Sequence, residues 1–361
     1  MVNDKLFNGF YSGRRVFLTG HTGFKGSWLS LLLNWLGADV YGYALKPNTK
    51  PNLYNLLRLD EYVHSYIDDI RNYKQFHAKL KEASPEVVIH LAAQPLVRVS
   101  YRNPRETYEV NVMGTVNLLE AVRQVDSVKV VLIITSDKCY ENREWIWGYR
   151  ENDPLGGYDP YSNSKACSEL VTSAYRSSYF NFKNDTNSRV YLASARAGNI
   201  IGGGDWSTDR IIPDCVRAVM TDTKVMLRSP NAIRPWQHVL EPLSGYLMLA
   251  ERLFNEGHPY AQGWNFGPND DDIRNVEWVV KSFYNLWGKG AHYEIDSNAQ
   301  PHEANYLKLD CSKAKANLGW NPKWKIDKTM DSVVEWYRSW YEHKDLRIVS
   351  IKQLCDYFDS I

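Results

Sequence analysis

Short apolar runs rich in β-branched residues recur through the first 200 residues, with helical segments between them. The runs are "RRVFLTG", "ADVYGYAL", "YVHSYIDDI", "PEVVIHLAA", Val130 to Ile134 and "RVYLASARAGNI". A strand that is apolar throughout, rather than at alternate positions, is covered on both faces. Strands of that kind alternating with helices imply a parallel sheet, because each parallel return crosses over through a helix. The helices expected are "FKGSWLSLLLNWLG", stopped by Gly37 at the C′ position, "NYKQFHAKLKEA", a long one from Pro104 to about Val125, and one from about Pro160 to Phe182. After about residue 200 the pattern loosens into "IGGGDW", "RSPNAIRPWQHV" and "WNFGPNDDD".

Composition narrows the function classes. The chain has 361 residues, with 43 basic and 42 acidic side chains. That balance argues against a protein dominated by nucleic-acid or membrane electrostatics. The five cysteines, at 139, 167, 215, 311 and 355, form no CxxC pair, so no metal site or disulfide framework is expected. The N-terminus lacks the apolar core of a signal peptide, and no apolar stretch approaches the about 18 residues of a spanning helix. A soluble, cytoplasmic enzyme is the expectation. The 13 tryptophans and 24 tyrosines suit packing or a surface for flat and sugar-like ligands, and composition does not choose between them.

Straight after the first strand stands Gly20-His21-Thr22-Gly23-Phe24-Lys25-Gly26, a GxxGxxG turn into the first helix. Glycines there allow a tight turn and a close approach of backbone to pyrophosphate, whose charge a helix N-terminus favours. The fold expected is therefore a Rossmann-like doubly wound parallel sheet. Residues 1–200 would form the dinucleotide-binding domain, and 201–361 a smaller C-terminal substrate-binding region partly interleaved with it. No acid ends the second strand, where a ribose-binding carboxylate is usual. Lys46 stands nearby and would favour a 2′-phosphate, so this segment leaves NAD and NADP open.

Two further features carry chemistry. The strand Val130–Ile134 runs out into Thr135, Ser136, Asp137 and Lys138, a hydroxyl, a carboxylate and an ammonium in consecutive positions. "PYSNSK" then sets Tyr161 four residues before Lys165 on the next helix, hence on one face. A nearby ammonium stabilises phenolate and is expected to lower the Tyr161 pKa towards neutrality, making it a base for a sugar hydroxyl.

TGxxGFxG at Thr19 to Gly26, HxAA at His90 to Ala93, and the trio Ser136, Tyr161 and Lys165 resemble the extended short-chain dehydrogenase/reductase family of nucleotide-sugar epimerases and dehydratases. The resemblance covers roughly residues 14 to 345. "GHTGFKGSWL", "TSDKCY" and "GNIIGGGDWSTDRIIPD" resemble the members that dehydrate CDP-glucose on the path to O-antigen dideoxysugars. The resemblance implies NAD as cofactor and CDP-glucose as substrate. It implies C4 oxidation by Tyr161 with Lys165 and Ser136, then elimination by Asp137 as acid. Lys138 stands where the family has a glutamate base, and would act as the C5 base or stabilise the enolate. For the cofactor it implies Gly20, Thr22, Gly23, Phe24, Lys25 and Gly26, with Asp69 and Ile70 at adenine, and Leu91, Ala92, Ala93, Gln94, Tyr161 and Lys165 beside the rest. For the substrate it implies Arg98 and Ser100 on the loop after the fourth strand, and Asn199, Arg210 and Arg234. The helices near 104–125 and 160–182 would pair in a homodimer. An NAD-dependent epimerase and a non-catalytic cofactor sensor are the alternatives; His21 and His238 are left as structural.

Overall fold

The apolar runs become the strands of one seven-stranded parallel sheet: β1 (Arg15–Thr19), β2 (Asp39–Ala44), β3 (His64–Ile67), β4 (Val87–His90), β5 (Val130–Ile134), β6 (Tyr191–Ala197) and β7 (Gly263–Phe266). The computed structural model describes residues 5–180, 190–290, 292–296 and 306–359. Strand order is β7-β6-β5-β4-β1-β2-β3. The chain thus winds outwards from β1 to β3, then returns to the centre and winds the other way from β4. Such a reversal opens a crevice at the carboxyl ends of β1 and β4. Register brings those ends level: Thr19 pairs with Tyr43 on one side and His90 on the other, and His90 with Ile133.

Neighbouring residues within each strand serve two cores. Val16, Leu18, Ile89 and Leu132 face one, and Phe17, Val88, Val131 and Leu192 the other; all are fully buried. Burying a side chain of this size contributes about 1.5–3 kcal/mol, so layers on both faces are strongly favoured. Helix α1 (Phe24–Trp35) covers the first face and α2 (Tyr73–Ala83) the second. Gly37 follows α1 with φ +80° and ends it as expected, its N–H donating to Asn34 O (3.0 Å).

Several elements differ from expectation. "LVRVSY" is a short helix, Val97–Arg102, rather than loop. The long helix after it does begin at Pro104, but Glu109–Met113 is a π turn that leads into α3 (Gly114–Val122). A π turn admits one extra residue per hydrogen-bonded ring and re-aims the side chains around it. Here Asn111 is buried, accepting from Gln94 N (2.8 Å) and donating to Ser164 Oγ (2.8 Å). Helix α4 (Pro160–Ser178) starts where expected, capped by Asp159 Oδ1 on Ser162 N (2.9 Å), and stops four residues early; residue 182 lies outside the described residues. Strand β7 lies within the stretch read as loop-rich. The sheet therefore crosses the boundary at residue 200, and helix α5 (Leu240–Glu256), from beyond it, packs against β5 and β6.

Candidate active site

A cavity of about 670 Å³ opens at the carboxyl ends of the strands. One wall is the sheet: the Gly20–Gly26 turn after β1, Asp69 and Ile70 beyond β3, Leu91 to Ala93 after β4, and Ser136 to Lys138 after β5. Tyr161 and Lys165 from α4 complete this wall. The other wall comes from residues beyond 197 and holds Asn199, Arg210 and Arg234. Arg98, on the short helix after β4, also lines the cavity.

The glycine turn provides a test of whether a dinucleotide fits. A Cβ on Gly26 would stand 2.1 Å from Gly20 O, and one on Gly20 would stand 2.8 Å from Ala92 N. Gly20 also has φ +75°. So β1, its turn and α1 come together only with glycine at these positions. Gly23 caps α1 with no side chain, and the first turn contains no acidic residue. Its N–H groups and the positive end of the helix dipole are left for an anion. Thr22 donates to Leu45 O (2.7 Å), which fixes the turn against β2. These residues fit a bound pyrophosphate. At the other end, Asp69 accepts from Arg71 (2.6 Å), and Ile70 O accepts from Asn117 (3.0 Å).

The catalytic candidates meet at the centre. Ser136 Oγ donates to Asp137 Oδ1 (2.9 Å) and accepts from Lys138 N (3.2 Å). Asp137 is 1 % exposed, and its Oδ2 makes no hydrogen bond. Burial raises its pKa; Lys138, Ser136 and Arg234 oppose the rise without cancelling it. A carboxyl so held keeps its proton more readily than a surface aspartate, as a general acid must. Gly198 makes the room, since a Cβ there would stand 1.8 Å from Asp137 Oδ2.

The expected lowering of the Tyr161 pKa is not what the structure contains. Burial pushes the phenol up to about 12, and Ser136 and Arg210 only moderate this. Lys165 Nζ instead donates to Ile134 O (3.4 Å), while burial lowers its pKa to about 8. An enclosed phenolate loses its hydration, and that outweighs the helix-face ammonium. Lys25 also reaches the centre, with Nζ 5.7 Å from the Tyr246 ring. Enclosure, with Lys165 and Arg210 nearby, brings its pKa to about 7.

Two expected contact residues stand behind the wall rather than in it. Gln94 Oε1 accepts from Leu96 N (2.6 Å) and its Nε2 donates to Thr107 (2.9 Å), so its side chain is spent on its own loop. Ser100 is fully buried; its Oγ donates to Val97 O (2.7 Å) and accepts from Tyr161 N (3.1 Å). Ser100 therefore fixes the backbone of Tyr161. The other expected residues line the cavity, and arginines there are engaged with acids: Arg98 with Asp209 (3.3 Å) and Arg210 with Asp205 (2.7 Å). His21 and His238 are buried in the frame, His21 Nε2 lying 2.7 Å from Ser65 Oγ.

Sequence reasoning missed Arg228 and Tyr246. Arg228 lines the cavity and lies 3.6 Å from Asp209. Tyr246 is buried, its hydroxyl unbonded, and faces Asp137 and Tyr161 electrostatically. Neither stands in a motif; only the fold brings them here.

Residues 17–333 match the family described as GDP-mannose 4,6 dehydratase. A CDP-glucose 4,6-dehydratase of Salmonella typhimurium is 55% identical over 351 residues, 97% of this chain and 98% of that protein. Among solved structures, a dTDP-glucose 4,6-dehydratase of Bacillus anthracis in complex with NAD superposes with TM-score 0.74 at 22% identity, covering 92% of this chain and 99% of that one. A UDP-glucose 4-epimerase of Thermotoga maritima superposes with TM-score 0.78 at 19% identity, covering 90% and 99%. Dehydratases and epimerases thus share this fold, and the fold alone does not separate them.

Proposed function

The chain belongs to the GDP-mannose 4,6 dehydratase family, and from that premise we propose that it is an NAD-dependent CDP-glucose 4,6-dehydratase yielding CDP-4-keto-6-deoxyglucose. The observation that carries this reading is Asp137, a buried carboxyl of raised pKa set beside Tyr161 and Lys165. Epimerisation needs no elimination acid; dehydration does.

NAD, when bound, supplies the hydride acceptor at C4 and the hydride donor at C6. Gly20 to Gly26 and the α1 N-terminus would hold its pyrophosphate, with Asp69 and Ile70 at the adenine end. Tyr161 Oη takes the proton of the sugar 4-hydroxyl. Lys165 and the Ser136 hydroxyl offset the charge that the phenol acquires, which matters because burial disfavours it. The 4-ketone acidifies the C5 proton. Lys138 serves that proton, as its base or as the cation that stabilises the enolate. Asp137 protonates the departing 6-hydroxyl. Arg98, Arg210 and Arg234 suit the diphosphate, where planar guanidinium groups bind in pairs of hydrogen bonds.

CDP-glucose is supported by the 55% identity to the Salmonella enzyme of that name. A homodimer through the helices at 104–122 and 160–178 is supported by the exposed apolar side chains of Met113 and Leu170. Among the described residues no helix is long and apolar enough to cross a membrane. We place the enzyme in the cytoplasm, at the entry to O-antigen dideoxysugars.

Incubation with CDP-, dTDP-, GDP- and UDP-glucose tests the reading. Alkaline absorbance should report a 4-keto-6-deoxy product, formed best from the CDP sugar. A product that retains its 6-hydroxyl would identify an epimerase instead.

A further inference from the structure

Behind the catalytic loop lies a charged pair that the mechanism above does not use. Glu169 sits on α4 one turn beyond Lys165 and two beyond Tyr161, hence on the same face. Its carboxylate is 3 % exposed and meets the guanidinium of Arg196, on β6, at 2.8 Å. It also accepts from Thr135 Oγ1 (2.5 Å) and Ser194 Oγ (2.7 Å). Arg196 donates in turn to Tyr140 OH (2.8 Å) and Glu151 O (3.0 Å). Tyr140 OH passes the chain on to Asn265 Oδ1 (2.7 Å).

The placement of these contacts is informative. Thr135 immediately precedes Ser136, and Tyr140 immediately follows Cys139. The segment holding Ser136, Asp137 and Lys138 is therefore tied at both ends to one buried ion pair. Stability does not explain such a pair well, because apolar residues of similar volume often do as well or better. Burial pushes the Glu169 pKa up, but Arg196, Thr135 and Ser194 outweigh it, so the carboxylate stays ionised.

We propose that the Glu169–Arg196 pair is a positioning device for C4 oxidation: it clamps the Ser136–Cys139 segment at both ends and gives the Lys165 ammonium its buried counter-charge. The inference rests on the reading of Tyr161 and Lys165 given above. Burial alone drives the Lys165 pKa down, and Glu169 is the first group that opposes it. Cys139 on the loop also opposes it, while Lys25 on α1 and His90 at the end of β4 face Lys165 from the other elements. Arg176, on α4, faces Glu169 besides Arg196. The ammonium is present below about 8 and is lost as pH rises through that value. Removing the Glu169 charge should move the loss to lower pH.

The test follows Lys165 directly in the full chain. Acetic anhydride modifies only the neutral amine, so the pH dependence of Lys165 acetylation, read by mass spectrometry, reports its titration without turnover. Formation of bound NADH from CDP-glucose in a single turnover is followed in parallel. Glu169→Gln should lower the Lys165 midpoint by about one pH unit and move the alkaline limb of NADH formation with it. Glu169→Gln leaves Arg196 unpaired and can fail to fold, so the paired variant Glu169→Met with Arg196→Met is measured beside it. The paired variant should fold and show an acid shift of the same sign but smaller, because it removes a positive charge along with the negative one. A folded variant whose midpoint and limb stay at the wild-type pH overturns the proposal. If Lys165→Met forms NADH at the wild-type rate, the reading of the catalytic trio fails, and this inference with it.

Discussion

The two walls of the cavity are held by different kinds of order. On the sheet side, backbone pairing decides where residues stand: β1 and β4 end level, β5 runs one residue further, and their next residues are Gly20, Leu91 and Thr135. On the other side, residues 198–236 pair only through strands of two or three residues, Ile200–Ile201 with Gln237–His238, Val225–Leu227 with Tyr293–Ile295, and Ile233–Arg234 with Arg274–Asn275. Side chains from distant elements do the holding there. Trp28 of α1 donates to Gly203 O (2.9 Å), Tyr337 to Asp205 O (2.6 Å), and Gln237 to Gly198 O (3.1 Å). The comparison teaches that the sheet wall fixes chemistry through short-range geometry, whereas the loop wall fixes recognition through a few long-range ties. Substitutions on the two walls should then differ in kind.

The largest effect is expected on the sheet wall. Tyr161→Phe removes only the proton-accepting oxygen, and loss of a general base costs about 10²–10⁴-fold. C4 oxidation should fall by that factor while nucleotide-sugar affinity, read by calorimetry, stays close to wild type. A parallel collapse of affinity would mean that Tyr161 serves binding.

Gly198→Ala probes the seam where the walls meet. Its Cβ would stand 1.8 Å from Asp137 Oδ2, so the carboxyl must move. A displacement of about 1 Å can cost about 10²-fold. Product formation should drop by that order, with less effect on Tyr161-dependent oxidation. Unchanged turnover would show that Asp137 has room the structure does not suggest.

Smaller still is the effect expected of Tyr337→Phe, which cuts one tie of the loop wall. The Asp205 carbonyl loses its partner, a loss of about 1–3 kcal/mol in urea unfolding. Because Asp205 also holds Arg210 (2.7 Å), KM for the nucleotide sugar should rise while kcat is nearly kept. A fall in kcat at constant KM would place the second wall's role in chemistry instead.

The same contrast explains what could be read from the sequence. Strand ends announce themselves: "VFLTG", "VVIHLAA" and "VVLIITSDK" each pair an apolar run with a functional turn, and Tyr161 and Lys165 are fixed by helical spacing. Glu169 was within reach of the same rule, four residues beyond Lys165. Gln94 and Ser100 do not line the cavity, and loop spacing does not say whether a polar side chain turns to the cavity or to its own loop. The π turn at Glu109–Met113 interrupts the helix expected from Pro104, and a proline at the first turn marks a start without saying whether the helix stays regular. Strand β7 hid because "GWNF" is short and lacks a β-branched run; its place beside β6 is a tertiary outcome. Arg228, Tyr246 and Tyr337 carry no local signal, since what places them is contact with residues far away in the chain.

One measurement bears most directly on the central claim, that oxidation and elimination fall to separate groups in one cavity. Asp137→Asn keeps the size of the side chain but cannot deliver a carboxylic proton to the 6-hydroxyl. Mixed with CDP-glucose in a stopped-flow spectrometer, this variant should form enzyme-bound NADH at close to the wild-type rate. The NADH band should then persist, while 4-keto-6-deoxy product falls by about 10²–10⁴-fold. If NADH formation is lost in step with product, Asp137 serves oxidation or binding, and the separation of the two steps is contradicted.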